Sequence, residues 1–179
     1  KGEPWGYMGV DIVDKHRLWS LEDYQWLSSL SNIISIITKM ARINEALDHS
    51  EKLLRNIYTN IPVGIELYDK DGYLVDMNNL NAEIFGIPAK EVAFGVNIFD
   101  NPMIPVEIRE KLHSREPVSF RQSYSFNEIR KDDYYPTEKS GTIDLFTKVS
   151  MLYDAHGSLI NYLFINLDNT DKAVAYSRI

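Results

Sequence analysis

The sequence predicts an α+β protein: a five-stranded antiparallel sheet with helices on one face, preceded by one long, coiled-coil-forming α-helix. Three observations carry this. The stretch Leu21 to about Asn60 has no Gly or Pro and repeats apolar residues every seventh position. Val63 to Gly86, VGIELYDKDGYLVDMNNLNAEIFG, reads as strand, Asp-Gly turn, strand, Asn cap and short helix. Three alternating segments then close the chain, and the short connections between potential neighbours make antiparallel pairing the natural arrangement.

In chain order, Trp5 to Val13 reads as a short apolar strand followed by a polar bend. Ser20, with Glu22 and Asp23 behind it, marks a helix start: a capping hydroxyl with acids in the first turn. The helix then presents Trp26, Ile33, Met40, Leu47, Leu54 and Ile61 at period seven. Its companion positions are apolar at Leu30, Ile37 and Tyr58 but polar at Asn44 and Glu51. With Ile43 and Ser50 able to take their place, the break reads as a stutter that shifts a coiled-coil seam. From Leu27 to Ile37 a single amphipathic helix packed on its own domain explains the pattern equally well. A helix from Leu21 to Asn60 spans about 60 Å, too long and too polar beyond Met40 to be covered by the residues before it. A parallel homodimer through its second half is therefore expected.

Pro62 ends this helix, and the hairpin over Val63–Asp69 and Tyr73–Met77 turns at Asp71-Gly72, where Gly takes positive φ cheaply. Asn78 is placed to accept from an orphan N–H of the next helix, and Gly86 to close it in the left-handed conformation. Ile87 to Asp100 suggests short helical turns, and about Pro105 to His113 a longer helix. Strands are expected over Val118–Phe126, Thr142–Tyr153 and Leu159–Asp168. Val118, Phe120, Tyr124 and Phe126 share one face, as do Ile143, Leu145, Thr147, Val149 and Met151. Asn127 to Gly141, NEIRKDDYYPTEKSG, reads as a charged loop longer than a hairpin needs.

Composition removes several function classes. A net charge of −7 argues against a nucleic-acid surface, which needs a basic stripe to neutralise phosphates. The absence of cysteine excludes disulfides, thiolate metal sites, cysteine nucleophiles and cysteinyl-flavin photochemistry, and fits a reducing, cytoplasmic setting. No apolar run is long enough to cross a membrane. The chain starts at Lys1 within what reads as a strand, so it is expected to be a piece of a longer protein with any catalytic output outside it.

Three segments resemble the PAS family of sensor domains, over about Leu54 to Lys172. Asp71-Gly72, Asn78 and Gly86 are similar to its D-x-x-G-x-I-x-x-x-N-x-x-x-x-x-x-x-G pattern. Pro88 to Asn97 resembles its S-P-E-E-L-I-G-K-N segment, and Asp154 to Gly157 followed by Asp168-Asn169-Thr170 resembles D-x-x-G with the closing D-I-T triplet. Asn169 stands where the family usually has Ile. Residues 1 to about 45 resemble, over a shorter span, the last strand, bend and terminal helix of a GAF domain. The resemblance implies four parts: a GAF-like remnant over 1–20, a signalling helix over 21–60, a PAS domain over 61–170 and the start of an exit helix over 171–179. It implies a signal-input and relay module of a sensor histidine kinase, with an output domain downstream in the same chain and Asp168 and Thr170 as relay residues. The alternative is a ligand-sensing module of a cyclase or transcriptional regulator.

Reactive chemistry is sparse. His16, His49, His113 and His156 fall in turns, on a solvated helix face or at a polar helix end, where a cation is favourable. No metal site, cofactor or catalytic residue is expected. A small-molecule pocket between helix and sheet would be lined by Phe99, Ile108, Leu112, Phe120, Tyr124, Leu145, Thr147 and Phe164. Simple core filling by the same residues is the preferred reading.

Overall fold

The computed structural model describes residues 6–7, 9–11 and 18–170. The elements run α1 (Leu21–Asn60), β1 (Gly64–Asp69), β2 (Leu74–Met77), α2 (Asn79–Phe85), α3 (Val106–His113), β3 (Val118–Ser125), α4 (Phe126–Lys131), β4 (Thr142–Tyr153) and β5 (Leu159–Asp168), with single 3₁₀ turns at Lys90–Val92 and Ile98–Asp100. The chain divides into two compact units, Lys1–Leu54 and Arg55–Ile179.

In the first unit, Ser20 caps α1 as its sequence suggests. Its hydroxyl accepts from Asp23 N–H at 3.2 Å, while the Asp23 carboxylate accepts from Ser20 N–H at 2.8 Å. α1 buries none of its residues, and Trp26, Ile33, Met40 and Leu47 are all more than half exposed. The strand expected over Trp5–Val13 lies partly outside the described residues, and those described there, at 6–7 and 9–11, belong to no regular element. The exit helix expected over 171–179 also lies outside the described residues.

The second unit holds a five-stranded sheet in the order β2-β1-β5-β4-β3, every neighbouring pair antiparallel. Because β1 pairs with β5, Gly64 stands opposite Asn166. The strand that enters the sheet and the strand that leaves it are therefore neighbours at its centre. The β1–β2 turn is held by Asp69, whose carboxylate accepts from Asp71 N–H at 3.0 Å and Tyr73 N–H at 2.8 Å. Asn78 caps α2 by accepting from Asn81 N–H at 2.9 Å. Gly86 ends the helix at φ +64°; a Cβ there would lie 2.6 Å from the Lys139 side chain and 3.0 Å from its backbone N. That position needs glycine twice over, for its dihedral and for the close approach of the 137–139 segment.

Two expectations about the third strand and its loop are corrected. β3 stops at Ser125, and Phe126, expected to end the strand, opens α4, which continues to Lys131 inside the stretch expected to be a charged loop. Phe126 and Ile129, three residues apart, are both buried, so this short helix lays one apolar face on the core while Arg130, Lys131 and Asp132 stay outside. The core runs between the sheet and its helices and includes Met77, Ile98, Leu112, Phe126, Ile129, Leu145 and Val149, each at most 1% exposed.

Candidate functional site: a polar-lined cavity and the chain junction

Alternation along the strands decides what points into the core. On β4, Ile143, Leu145, Thr147 and Val149 are buried, and on β5, Tyr162, Phe164 and Asn166 are. Buried asparagine and threonine in such rows require partners, and these partners form one continuous network. Thr147 Oγ1 donates to Asn166 Oδ1 at 2.8 Å, and Asn166 Nδ2 donates to Asn81 Oδ1 at 3.0 Å. Asn81 Nδ2 donates to Glu66 Oε1 at 2.9 Å, and Tyr68 OH donates to Glu66 Oε2 at 3.2 Å. Four elements, β4, β5, α2 and β1, are thus joined by side chains alone.

Glu66 is half-buried and lines a cavity of about 30 Å³. Burial pushes its carboxyl above the ordinary range, against the hydrogen bonds from Asn81, Tyr68 and Asn166 that favour the charged form. Aliphatic and polar side chains share its walls with the aromatic ones Tyr68, Phe85, Phe120, Tyr124, Tyr134, Tyr135 and Phe164. The Tyr124 and Tyr135 hydroxyls bond each other at 2.8 Å, and Tyr134 OH donates to the Asn97 carbonyl at 2.9 Å. Burial pushes all four phenols well up, so they are neutral at any physiological pH. A void of this size takes about two to three water-sized groups, far less than a flavin or haem needs.

Of the eight pocket residues expected from sequence, the structure brings Phe120, Tyr124, Leu145, Thr147 and Phe164 to the cavity. Phe99, Ile108 and Leu112 are not among its walls. Leu112 is fully buried in the core and Ile108 packs against it. Phe99 stacks face to face on His113, ring centroids 4.0 Å apart, and meets Tyr162 edge-on. Glu66, Asn81, Asn166, Tyr134 and Tyr135 were missed by sequence reasoning. The signal for Glu66 was present, since it sits two residues from Gly64 and two from Tyr68 on the inward side of β1. Among the described residues no group of three His, Asp or Glu side chains can hold a metal ion.

A second polar cluster lies where the chain leaves the sheet. Thr170 N–H and its hydroxyl both donate to the Asp168 carboxylate. The same hydroxyl accepts from Asp144 N–H at 3.0 Å, and Asn169 N–H donates to the Asp144 carbonyl at 2.8 Å. The Asp144 carboxylate takes both prongs of Arg121 from β3, at 2.8 and 2.6 Å, and the guanidinium holds its carboxyl below the usual range. The expected relay residues Asp168 and Thr170 are thus tied to β4 and, through Asp144, to β3.

At the entry, Pro62 lies four residues beyond Tyr58 and has no N–H to offer that helix carbonyl. Asn78 Nδ2 takes its place, donating to Tyr58 O at 3.2 Å and to Val63 O at 2.9 Å, while its Oδ1 accepts from Ile65 N–H at 2.9 Å as well as from Asn81 N–H. One buried amide therefore fastens the end of α1, the start of β1 and the start of α2.

No family model matches the chain, and no curated protein matches it. Solved structures do resemble it. An RNA-binding light-oxygen-voltage receptor aligns with a TM-score of 0.54 and 18% identity over 69% of this chain, which spans 34% of that receptor chain. The PAS domain of BvgS from Bordetella pertussis aligns with a TM-score of 0.50 and 17% identity, covering 75% of this chain and 96% of that one. The PAS domain of an HTR-like protein from Haloarcula marismortui gives 0.51 and 18%, covering 72% and 98%.

Proposed function

From its PAS fold, we propose that this chain is the regulatory input-and-relay module of a larger cytoplasmic signalling protein, a sensor histidine kinase with its output domain downstream in the same chain. The module pairs with a second copy through the later part of α1 and passes a conformational change between its flanking helices; this fragment carries no catalysis of its own. The observation that supports this most is the adjacency of entry and exit. β1 and β5 are hydrogen-bonded neighbours, the helix before β1 is fastened by Asn78, and the chain after β5 is fastened by the Asp168–Thr170–Asp144 cluster. A shift in one fastening strains the other across two paired strands.

The pairing is tested by light scattering. Leu47 and Leu54 are 57% and 63% exposed on α1, and such a row at period seven is the seam of a parallel dimer. The chain is expected to be a dimer that becomes monomeric on Leu47→Glu with Leu54→Glu. A wild-type monomer at high concentration would remove the argument. The relay is tested in the full-length protein, where Asp168→Asn is expected to change autophosphorylation several-fold; unchanged phosphorylation overturns it. The second reading, a ligand-sensing module of a cyclase or transcriptional regulator, is favoured by the one charged group on an otherwise neutral cavity.

A further inference from the structure

Among the described residues that line the cavity, Glu66 is the only charged one, and no Lys, Arg or His stands with it. A carboxylate placed there gives up hydration that neutral donors, Asn81 Nδ2 and Tyr68 OH together with the Asn166 amide beside them, replace only in part. Each carboxylate oxygen has two lone-pair directions, so acceptor capacity remains. None of the three other phenols bonds the carboxylate: Tyr124 and Tyr135 bond each other, which leaves one of their two O–H groups undonated, and Tyr134 bonds a backbone carbonyl. What they do supply is aromatic surface. Ring faces attract cations, and an ammonium group is the cation that both donates hydrogen bonds to a carboxylate and tolerates an aromatic wall. A metal cation would want a fuller shell of oxygens than one carboxylate and scattered amides provide.

We propose that the cavity is a binding site for a small primary ammonium ion of about the size of methylammonium, held by Glu66 beside the aromatic part of its walls. The 30 Å³ of space sets the limit, since it accommodates about two to three non-hydrogen atoms and excludes quaternary or guanidinium groups without rearrangement. The proposal rests on the ligand-sensing reading above. Its route outward is short: Glu66 holds Asn81, the Asn81 N–H is held by Asn78, and Asn78 holds the Tyr58 carbonyl at the end of α1.

The test titrates this chain with methylammonium chloride, with potassium chloride and tetramethylammonium chloride as matched salts, following the melting temperature and the carboxyl ¹³C resonance of Glu66. Methylammonium is expected to raise the melting temperature saturably and move the Glu66 resonance, with neither effect from the other two salts. Glu66→Gln keeps the side-chain shape and is expected to weaken binding about tenfold or more. An unresponsive Glu66 resonance overturns the proposal, whether the carboxyl is ionised or has simply taken a proton. Equal responses to all three salts, or full binding by Glu66→Gln, overturn it too. Should that variant not fold, the wild-type resonance decides. Binding that leaves spin-label distances along α1 unchanged upholds the site and overturns the sensing reading; absence of binding leaves the relay reading standing.

Discussion

Replacing Asn78 by alanine removes four hydrogen bonds at one stroke. Asn78 is fully buried, and its side chain serves Ile65 N–H, Asn81 N–H, Val63 O and Tyr58 O at 2.9 to 3.2 Å. Loss of a helix N-cap costs about 1 kcal/mol. The other three partners lie in partly buried surroundings, where water recovers some of the loss, so each is set near the lower end of the roughly 1–3 kcal/mol for an unsatisfied group. Asn78→Ala is therefore expected to destabilise the domain by about 3–4 kcal/mol, a large share of the about 5–15 kcal/mol that holds a typical domain together. Urea unfolding followed by far-UV circular dichroism measures this, provided the slope with urea is unchanged. The neighbouring Asn79 is exposed, and Asn79→Ala should stay within about 0.5 kcal/mol of wild type. A loss below about 1 kcal/mol for Asn78→Ala would mean that a cap alone is at stake, and the reading of Asn78 as a three-way fastening would fall.

Two further predictions concern β1. A Cβ on Gly64 would meet Asn81 Oδ1 at 2.6 Å and Ile84 Cδ1 at 3.0 Å, so Gly64→Ala should cost about 1–3 kcal/mol by overpacking, measured by the same unfolding. Glu66 should make stability fall with rising pH. Its folded pKa is raised above the ordinary 4.5, so its contribution is complete below 4.5 and is lost as pH climbs through the raised value. Tyr68, Tyr124, Tyr134 and Tyr135 around it are pushed up and stay neutral throughout. Asp144, held below its ordinary 3.8 by Arg121, acts in the opposite sense at lower pH. The difference between wild type and Glu66→Gln isolates the Glu66 part, and melting curves of the two that run parallel from pH 4 to 8 would refute it.

What the sequence revealed and what it hid follow from how local each signal is. The long helix, the Asp-Gly hairpin, the Asn78 cap and the Gly86 terminus depend on residues a few positions apart, and all four stand where the sequence put them. The third and fourth strands could be read from alternation at period two, and the first two from the Asp-Gly turn that joins them. α4 was hidden because its apolar pair, Phe126 and Ile129, sits among Asn, Glu, Arg, Lys and Asp; i,i+3 spacing over so short a span is outweighed by charge. Leu112 shows the converse: its helix was foreseen, but whether a buried side chain lines a void or fills the core depends on what faces it across the domain. Glu66 is the clearest case of a long-range determinant. Its neighbours Asn81 and Asn166 lie 15 and 100 positions away, and only the β1–β5 pairing brings all three together.

That pairing also explains why polar residues occupy the centre of the sheet. Gly64 and Asn166 face each other across β1 and β5, and the missing side chain of Gly64 leaves room for Asn81 Oδ1 to come close to the backbone there. The room lets Asn81 reach Glu66 with its nitrogen and receive Asn166 on its oxygen. A hydrophobic trio in the same places would pack without desolvation cost, yet it would leave α2 free to slide along the sheet. Buried polar networks fix register because a partly broken one costs more than none. Here the register they fix is that of α2, whose N-cap residue Asn78 carries the amide that completes the end of α1. Glu66 therefore stands two side chains away from Asn78, the residue that binds the helix end and the first strand together.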